Sequence, residues 1–485
     1  MTEQRVPLGD MPADEFEEYG RRAVAWIADY LAHADQYPVL ARVAPGEIKR
    51  ALPARPPAQG ESMEVILADF ERTVVPGITH WNHPSFFAYF AITGSGPGIL
   101  GELLASALNV NGMLWKTSPA ATELEEVALD WLRQMIDLPS GFMGIIMDTA
   151  SVASLCAVAA AREAVGEHAF REQGMFGGPR LRLYTSEHAH SSIEKAGIVL
   201  GLGRAGVCKI PVDAEYRMDA DALRRAVARD RAAGWRPFCV VATVGTTSTT
   251  SVDPVPAIAE ICAAENLWLH VDGAYAGIAA IAPEFRWALD GCDRADSVVV
   301  NPHKWLFTPI DCSAFYCRRP EVLRAAFTLV PEYLRTVEGE QTAVRDFMDY
   351  GVQLGRRFRA LKLWMVIRYF GWEGLAARIR EHIRLGTLLA SWVDASPEFE
   401  RMAPTPFSTV CFRAHPRGAA EDALERLNMA VLDAVNATGE AYLSHTKLSG
   451  KLTLRFAIGN IRTMESHVRT AWELIQREAR RVRSR

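Results

Sequence analysis

The hydrophobic pattern of the first part of the chain is helical. In residues 14–34, apolar side chains recur at the spacing of an amphipathic helix (Ala23, Ile27, Tyr30 and Leu31). The segment 52–61 is rich in Pro and Gly and cannot continue a helix, and a second helical pattern follows at 63–75. Because no strand pattern comes before them, these helices are expected to form an N-terminal arm.

The middle of the chain alternates short apolar runs with helical patterns. The runs are GFMGIIM (141–147), RLRLYTS (180–186), VCKIPV (207–212), FCVVATVG (238–245), LWLHVDGA (267–274) and DSVVVNP (296–302). Such alternation is typical of parallel strands joined by helices. The pattern therefore predicts an α/β domain.

The last third of the chain predicts a smaller α+β domain. A long helical pattern at 355–395 is interrupted around Gly371, which could be a hinge. Beyond it, two strand patterns and two helical patterns alternate (408–415, 451–459, 423–435 and 466–483). We expect three parts: an arm over 1–85, a large domain over 86–376 and a small domain over 377–485.

Composition excludes several classes of protein. The 485 residues are 49% apolar and 23% charged, which excludes disorder, collagen and coiled coil. A net charge of −5 without long charged runs gives no footprint for nucleic acid or an anionic membrane, so a small-molecule partner is expected. The eight cysteines include no CxxC pair, and no stretch resembles a signal peptide or a membrane span. These features favour a cytoplasmic protein without structural zinc.

Two strand ends carry the candidate chemistry. Lys304 follows the apolar run 296–302, and ligands of open α/β sheets gather beyond the carboxyl ends of strands. Desolvation there can lower the pKa of a lysine enough to make it a nucleophile, although a solvated strand end is the plainer interpretation. Asp272 ends the apolar run 267–274, where a buried carboxylate needs a cationic partner. A protonated pyridine nitrogen would supply one, and pyridoxal phosphate chemistry uses a lysine with such an acid; alternatively, Asp272 caps the following turn.

Other turns offer further groups. His188 and His190 lie in a turn that opens a helix, where an imidazole could stack on a planar cofactor or hold a carboxylate. A metal is the alternative, but no ligand set with suitable spacing accompanies the two histidines. The turn 148–154 precedes a helix and could hold a phosphate, although its hydroxyl residues are also ordinary N-caps. The hydroxyl-rich turn 245–254 could also hold a phosphate, with the same plainer alternative.

Taken together and in this order, Lys304 after NPH, Asp272 in HVDGAYAG and His190 in HAHSS resemble a known family. They are similar to the group II pyridoxal-phosphate decarboxylases of the aromatic-L-amino-acid decarboxylase type. Further matching segments extend almost to the C-terminus (81–90, 118–132, 283–305, 311–315, 354–364 and 454–468).

The resemblance implies a type I pyridoxal-phosphate fold: a mainly parallel seven-stranded sheet with helices on both faces and a smaller α+β C-terminal domain. It also implies a homodimer with active sites at the interface. The cofactor would be pyridoxal 5'-phosphate, bound covalently by Lys304, paired at its ring nitrogen with Asp272 and stacked on His190. The remaining cofactor-binding residues would be Thr149, Ala150, Ser151, Thr246, Ala274, Asn301 and His303.

The implied reaction is decarboxylation of an aromatic L-amino acid (tryptophan, phenylalanine, tyrosine or Dopa) to the arylalkylamine and CO2. Tyr333 would protonate Cα; relatives with phenylalanine there consume oxygen and release an aldehyde. Trp81, Tyr89 and Phe90 would line the pocket, with Asn111 and Met113 from the partner chain. Glycine at position 355 would favour a substrate with a wide aromatic ring. An aromatic acetaldehyde synthase, a histidine decarboxylase and a catalytically silent dimeric scaffold remain alternatives.

The chain departs from the family pattern beside the phosphate turn and in the pocket. Asp148 stands where relatives usually have glycine, and Val152 where they often have glutamate. A carboxylate near a phosphate should weaken binding unless it points away. Asn111 and Met113 replace bulkier apolar residues, so the size preference of relatives cannot be transferred.

Overall fold

The N-terminal segment is helical, as its pattern predicts. In the computed structural model, which describes residues 9–166, 168–329, 334–340 and 344–484, the arm segment carries three α-helices. They are α1 (Ala13–Ala32), α2 (Glu47–Ala51) and α3 (Met63–Asp69). No residue of these three helices is buried, so this chain covers their apolar side chains only partly.

A mainly parallel seven-stranded sheet forms the centre of the molecule. Its strands are β1 (Met143–Met147), β2 (Leu181–Ser186), β3 (Val207–Ile210), β4 (Arg236–Thr243), β5 (Trp268–Asp272), β6 (Ser297–Val300) and β7 (Ser313–Cys317). Their order is β1-β7-β6-β5-β4-β2-β3, and β7 runs opposite to the other six strands. The six predicted runs are confirmed as strands, and β7 is an additional strand that the apolar pattern did not predict.

Helices cover both faces of this sheet. They are α4 (Gly96–Leu108), α5 (Pro119–Met135), α6 (Ala150–Glu163), α7 (Phe170–Gln173), α8 (Ser191–Val199), α9 (Ala220–Ala232), α10 (Val255–Glu265), α11 (Pro302–Trp305), α12 (Pro320–Phe327), α13 (Val337–Glu340) and α14 (Ala360–Ala395). Successive strand residues enter opposite cores: Val240 packs in the core with α5, α9 and α10, and Val241 in the core with α6 and α12. Burial on both faces explains why the strands are continuous apolar runs.

Helix α14 breaks at Gly371, where the sequence predicts an interruption. The residue has φ 65° and ψ 169°, a conformation that glycine adopts without a steric penalty. After the break, Leu375 packs in the core beside the large sheet and Leu389 in the C-terminal core. The expected boundary between residues 376 and 377 lies within this second half of α14.

The C-terminal part has its own antiparallel sheet. Its strands are β8 (Phe399–Arg401), β9 (Thr409–Ala414), β10 (Ser444–Leu448) and β11 (Lys451–Ala457), in the order β10-β11-β9-β8. Helices α15 (Glu421–Thr438) and α16 (Glu465–Arg483) pack on it. The two strands and two helices predicted here are confirmed, and β8 and β10 are additional. Across the described ranges, no helix is both long and apolar enough to cross a membrane.

Candidate active site

Lys304 lies on the short helix α11, directly after β6. Its Nζ is 5.4 Å from the centre of the Phe90 ring. Burial lowers the pKa of Lys304 below its ordinary value, Asp272 opposes that shift, and Arg455 adds to it. A larger share of neutral amine at neutral pH makes Lys304 a better nucleophile than a solvated lysine.

Asp272 ends the neighbouring strand β5 and is 5% exposed. Its Oδ1 accepts a hydrogen bond of 3.1 Å from the N–H of Ala274, so the turn-capping role considered from the sequence is present. Because strand side chains alternate, Asp272 shares a face with His270, whose Nε2 lies 3.2 Å from the Oγ of Ser154 in α6. The carboxylate therefore lies on the α6 side of the sheet, within electrostatic reach of Lys304.

His190 is the N-cap of α8, so the turn that contains it opens a helix, as predicted. The backbone N–H of Ser192 donates to its Nδ1 at 3.2 Å, which leaves the proton of a neutral imidazole on Nε2. Burial lowers the pKa of His190, Asp272 raises it and Lys304 lowers it, which places these three groups together. His188 instead packs edge-on against Tyr216, at 5.5 Å between ring centres. No group of three or more potential metal ligands occurs among the described residues.

The predicted phosphate turn is the start of a helix. Thr149 is the N-cap of α6, and Ala150 and Ser151 are its first two residues, so the helix begins earlier than the apolar pattern from Leu155 indicated. Thr149 makes no side-chain capping hydrogen bond. The N-terminal amides of α6 therefore form a positive helix end of the kind that binds phosphate.

The other expected cofactor residues are buried and already hydrogen-bonded. Ser313 donates to Oδ1 of Asn301 at 2.8 Å, and Nδ1 of His303 lies 2.8 Å from the carbonyl oxygen of Cys312. Burial lowers the pKa of His303 to about 4, so the ring is neutral at pH 7. Thr246 is fully buried, and its hydroxyl lies 3.0 Å from that of Thr249. These hydrogen bonds stabilise the segments that contain Thr246, Asn301 and His303.

Asp148 binds one cation and one amide. Its Oδ1 is 2.6 Å from Nη2 of Arg359, and its Oδ2 accepts a 2.5 Å hydrogen bond from Gln353. Arg359 also binds Asp311, at 2.7 Å. Val152 packs at the margin of the core below α6. The carboxylate that departs from the family pattern thus shares one guanidinium with Asp311.

The residues expected to line the pocket fall into two groups. Trp81 stacks on Tyr89 at 5.8 Å, and the Tyr89 hydroxyl lies 3.2 Å from that of Tyr442. Tyr89 is 52% exposed and has φ 52°, an uncommon conformation for a non-glycine residue that often marks functional sites. Phe90 is buried and stacks on Tyr275, at 3.7 Å between ring centres. Its ring therefore forms an aromatic floor, a flat apolar surface next to Lys304.

The second group contains Asn111, Met113 and Gly355. The amide of Asn111 donates to the sulfur of Met113 at 3.4 Å and accepts from the backbone N–H of Arg356 at 2.9 Å. A Cβ added at Gly355 would meet only the Asn111 amide, at 3.8 Å, so the position has free space.

Arg455 of β11 is a site residue that the sequence did not reveal. It is 4% exposed, its guanidinium carbon lies 4.4 Å from the centre of the Phe90 ring, and it donates to the carbonyl oxygen of Tyr89. Its Nη2 is buried without a hydrogen-bond partner among the described residues. A buried, partnerless guanidinium nitrogen beside Lys304 is suited to an anionic group of a ligand. The only sequence signal was a charge in the apolar run 451–459.

The residue expected to protonate Cα, Tyr333, lies outside the described residues. Its role stays a prediction.

Comparison with known proteins identifies the family of the chain. Residues 45–415 match the family described as the pyridoxal-dependent decarboxylase conserved domain. The chain is 40% identical to tryptophan decarboxylase 2 of Oryza sativa subsp. japonica (98% of this chain, 96% of that one). It is 41% identical to phenylacetaldehyde synthase of Arabidopsis thaliana, over 97% of both chains. A crystal structure of Oryza sativa TDC with PLP and tryptamine superposes with a TM-score of 0.94 at 40% identity, covering 98% of this chain and 99% of that one.

Proposed function

The chain belongs to the pyridoxal-dependent decarboxylase family, with the type I fold and pyridoxal 5'-phosphate as its cofactor, and from that premise we propose that it decarboxylates aromatic L-amino acids. The substrate would be tryptophan, phenylalanine, tyrosine or Dopa, and the products the arylalkylamine and CO2. The observation that carries the proposal is Lys304, a lysine with a lowered pKa beside a buried carboxylate and an aromatic floor.

The described residues fit the cofactor. The amine of Lys304 suits an aldehyde, the buried carboxylate of Asp272 suits a pyridinium, and the start of α6 suits a phosphate. When bound, the cofactor supplies an electron-withdrawing ring that takes up the electron pair left by the departing carboxylate. Asp272 would keep a proton on the ring nitrogen, which maintains this electron demand. The neutral imidazole of His190 would lie against the ring.

The substrate would be held by its carboxylate and its side chain. The unpaired Nη2 of Arg455 would bind the carboxylate and orient the bond that breaks. Aromatic side chains near the site favour an aromatic ring in the substrate, through Trp81 and Tyr89 in particular. After CO2 leaves, Tyr333 would deliver the proton to Cα.

We further propose a homodimer in which each pocket is completed by its partner. Helix α4 exposes four leucines along one face, between 48% and 60% exposed (Leu100, Leu103, Leu104 and Leu108). An apolar helix face of this kind is typical of an interface, and the uncovered helices of the arm (1–85) would wrap the other copy. The group around Asn111 would then reach the partner's Lys304, so the arm, the large part (86–376) and the small part (377–485) would act together.

A cytoplasmic location is also proposed. All eight cysteines lie in described residues as free thiols, which suits a reducing compartment.

Product analysis tests the function. The holoenzyme would be incubated separately with Trp, Phe, Tyr, Dopa and His, and each amine quantified together with CO2. We expect an aromatic amine in a 1:1 ratio to CO2, and loss of both the product and the cofactor's visible absorption band in Lys304→Ala. An enzyme that forms amine from His alone, or from none of the five, would refute the proposal.

An oxygen-dependent aldehyde synthase is the second candidate, favoured by the 41% identity to phenylacetaldehyde synthase. That reaction consumes O2 and water and releases aldehyde, CO2, ammonia and hydrogen peroxide. Stoichiometric peroxide and ammonia in place of amine would establish it.

A further inference from the structure

We propose that Asp148 is a positioning residue that fastens residues 351–355 to the turn 149–151, and that its charge weakens the binding of the cofactor's phosphate. This inference rests on the proposed function of that turn as the phosphate site. It concerns a residue at which the chain departs from the family pattern.

The geometry of Asp148 joins three segments. One carboxylate oxygen binds Arg359 at 2.6 Å, and the other accepts the side-chain amide of Gln353 at 2.5 Å. Arg359 reaches on to Asp311, whose pKa burial would raise but the bond to Arg359 holds below its usual value. Asp311 directly precedes Cys312, the backbone partner of His303. One carboxylate thus links the start of α6 to the segment 353–359 and, through Arg359, to the loop at Asp311.

The charges around Asp148 balance only when it is present. Arg359 binds two carboxylates, whereas Glu102 binds Lys362 and Arg357. Three cations therefore face three anions (Arg357, Arg359 and Lys362; Glu102, Asp148 and Asp311). Removal of Asp148 leaves one net positive charge beside the turn, and Asp311 still holds Arg359 in place. A positive charge next to the turn should strengthen the binding of a phosphate dianion.

Besides Asp148, the segment 351–355 is held by a hydrogen bond between the Val352 backbone and Cys156 of α6, and its apolar side chains contribute little. Its apolar side chains Val352 and Leu354 are 63% and 47% exposed, and glycines stand at both of its ends. Few buried apolar contacts leave the position of such a segment to its polar contacts. The hydrogen bond from Gln353 to Asp148 is one of these polar contacts, and Gln353 lies two residues before Gly355. This hydrogen bond thereby connects the pocket residue Gly355 to the phosphate turn.

Three variants separate the effect of the Asp148 charge from that of the tether, the hydrogen bond between Gln353 and Asp148. In Asp148→Gly, the cofactor dissociation constant, measured by equilibrium dialysis of the holoenzyme, should fall about three- to tenfold, because a like charge near the phosphate is gone. Deuterium exchange of residues 351–355 should rise in the same variant. Gln353→Met removes the tether but keeps the charge, so exchange should rise while the dissociation constant stays within about twofold. Asp148→Asn removes the charge at nearly constant volume and replaces Asp148→Gly if the latter does not fold.

A control distinguishes failure of this inference from failure of the phosphate site. Ser151→Asp puts a negative charge on the turn itself and should weaken cofactor binding; if it does not, the turn is not the phosphate site. If Ser151→Asp weakens binding but neither Asp148 variant tightens it, the charge effect is refuted. If deuterium exchange of residues 351–355 is unchanged in Gln353→Met, the proposed tether role of the Gln353–Asp148 hydrogen bond is refuted. High salt should shrink the difference between Asp148→Asn and the parent protein, because screening weakens the interaction.

Discussion

Single residues set the chemistry of the site through their charges. Lys304 lies between Asp272, which raises its pKa, and Arg455, which lowers it, with burial as the largest influence. Burial and Arg455 together favour the neutral amine. The balance of burial, Asp272 and Arg455, and not the lysine alone, sets the pH range in which the amine is reactive.

Replacement of Arg455 should move that pH range upward. In Arg455→Gln, a cation that disfavours the ammonium is removed, so the pKa of Lys304 rises and less neutral amine exists at a given pH. The rate at which cofactor-depleted enzyme rebinds pyridoxal 5'-phosphate, measured from neutral to alkaline pH, should then rise at higher pH than in the parent. Arg477→Gln, at a side chain that is 58% exposed, should leave the profile in place. A profile that is unshifted or moves to lower pH in Arg455→Gln would contradict this account.

At the scale of elements, close packing positions the strands and helices that carry the site. Helix α4 crosses the first half of α14 at Gly101, where an added Cβ would lie 2.6 Å from the Cα of Lys362. That approach places α14, and with it Arg359, against α4. The glycine is required by contact with a backbone atom, which cannot move aside as a side chain could.

Gly101→Ala should therefore destabilise the protein. Forced separation of α4 and α14 is expected to lower the free energy of unfolding by about 1–3 kcal/mol, the usual cost of overpacking. Urea denaturation measures the change. Gly96→Ala on the same helix, where a Cβ would meet nothing within 4 Å, is the matched control and should be neutral or slightly stabilising. Equal effects of the two substitutions would show that packing at Gly101 is not limiting.

For the whole molecule, the exposed leucines of α4 make association testable. Leu103→Glu with Leu104→Glu should halve the mass found by light scattering, because charges would have to be buried in the proposed interface. Val199→Glu alters another exposed apolar residue, 69% exposed at the end of α8, and should keep the parent mass. A double variant of unchanged mass would show that α4 lies outside the interface.

Buried histidines should make the stability of the whole molecule depend on pH. Burial lowers the pKa of four of them to about 4 (His83, His270, His303 and His382). The unfolded chain takes up these protons near the ordinary value of about 6.5, so stability present above that pH is lost as the pH falls toward 4. Asp253, with its pKa raised by burial to about 6, acts in the opposite direction and offsets part of the loss.

One of these histidines can be isolated. His382 accepts a hydrogen bond from Trp305 at 2.9 Å and lies 3.1 Å from the carbonyl oxygen of Asn460. In His382→Gln, the slope of unfolding free energy against pH between 6.5 and 4 should decrease by about 1.4 kcal/mol per pH unit, the effect of one proton. An unaltered slope in His382→Gln would mean that this ring is protonated in the folded protein.

Local sequence patterns determined much of this protein. Five of the strands (β1, β2, β4, β5 and β6) are buried almost throughout, so their apolar runs are continuous and readable. Parallel strands bring their carboxyl ends to one edge. Lys304 and Asp272 each follow or end such a run, so their position at a common edge of the sheet is a consequence of local pattern. The resemblance, carried by short motifs in a fixed order, then indicated the family.

Contacts between distant segments were decided only by the tertiary structure. Arg455 reaches Lys304 from the C-terminal sheet, and Asp148 finds Arg359 far along the chain, because packing of separate elements brings them together. Periodicity is a property of neighbouring residues and carries no information on which distant charge compensates which. The sequence alone thus determined the strand ends that present the reactive groups, and the tertiary structure decided the partners that set their charge.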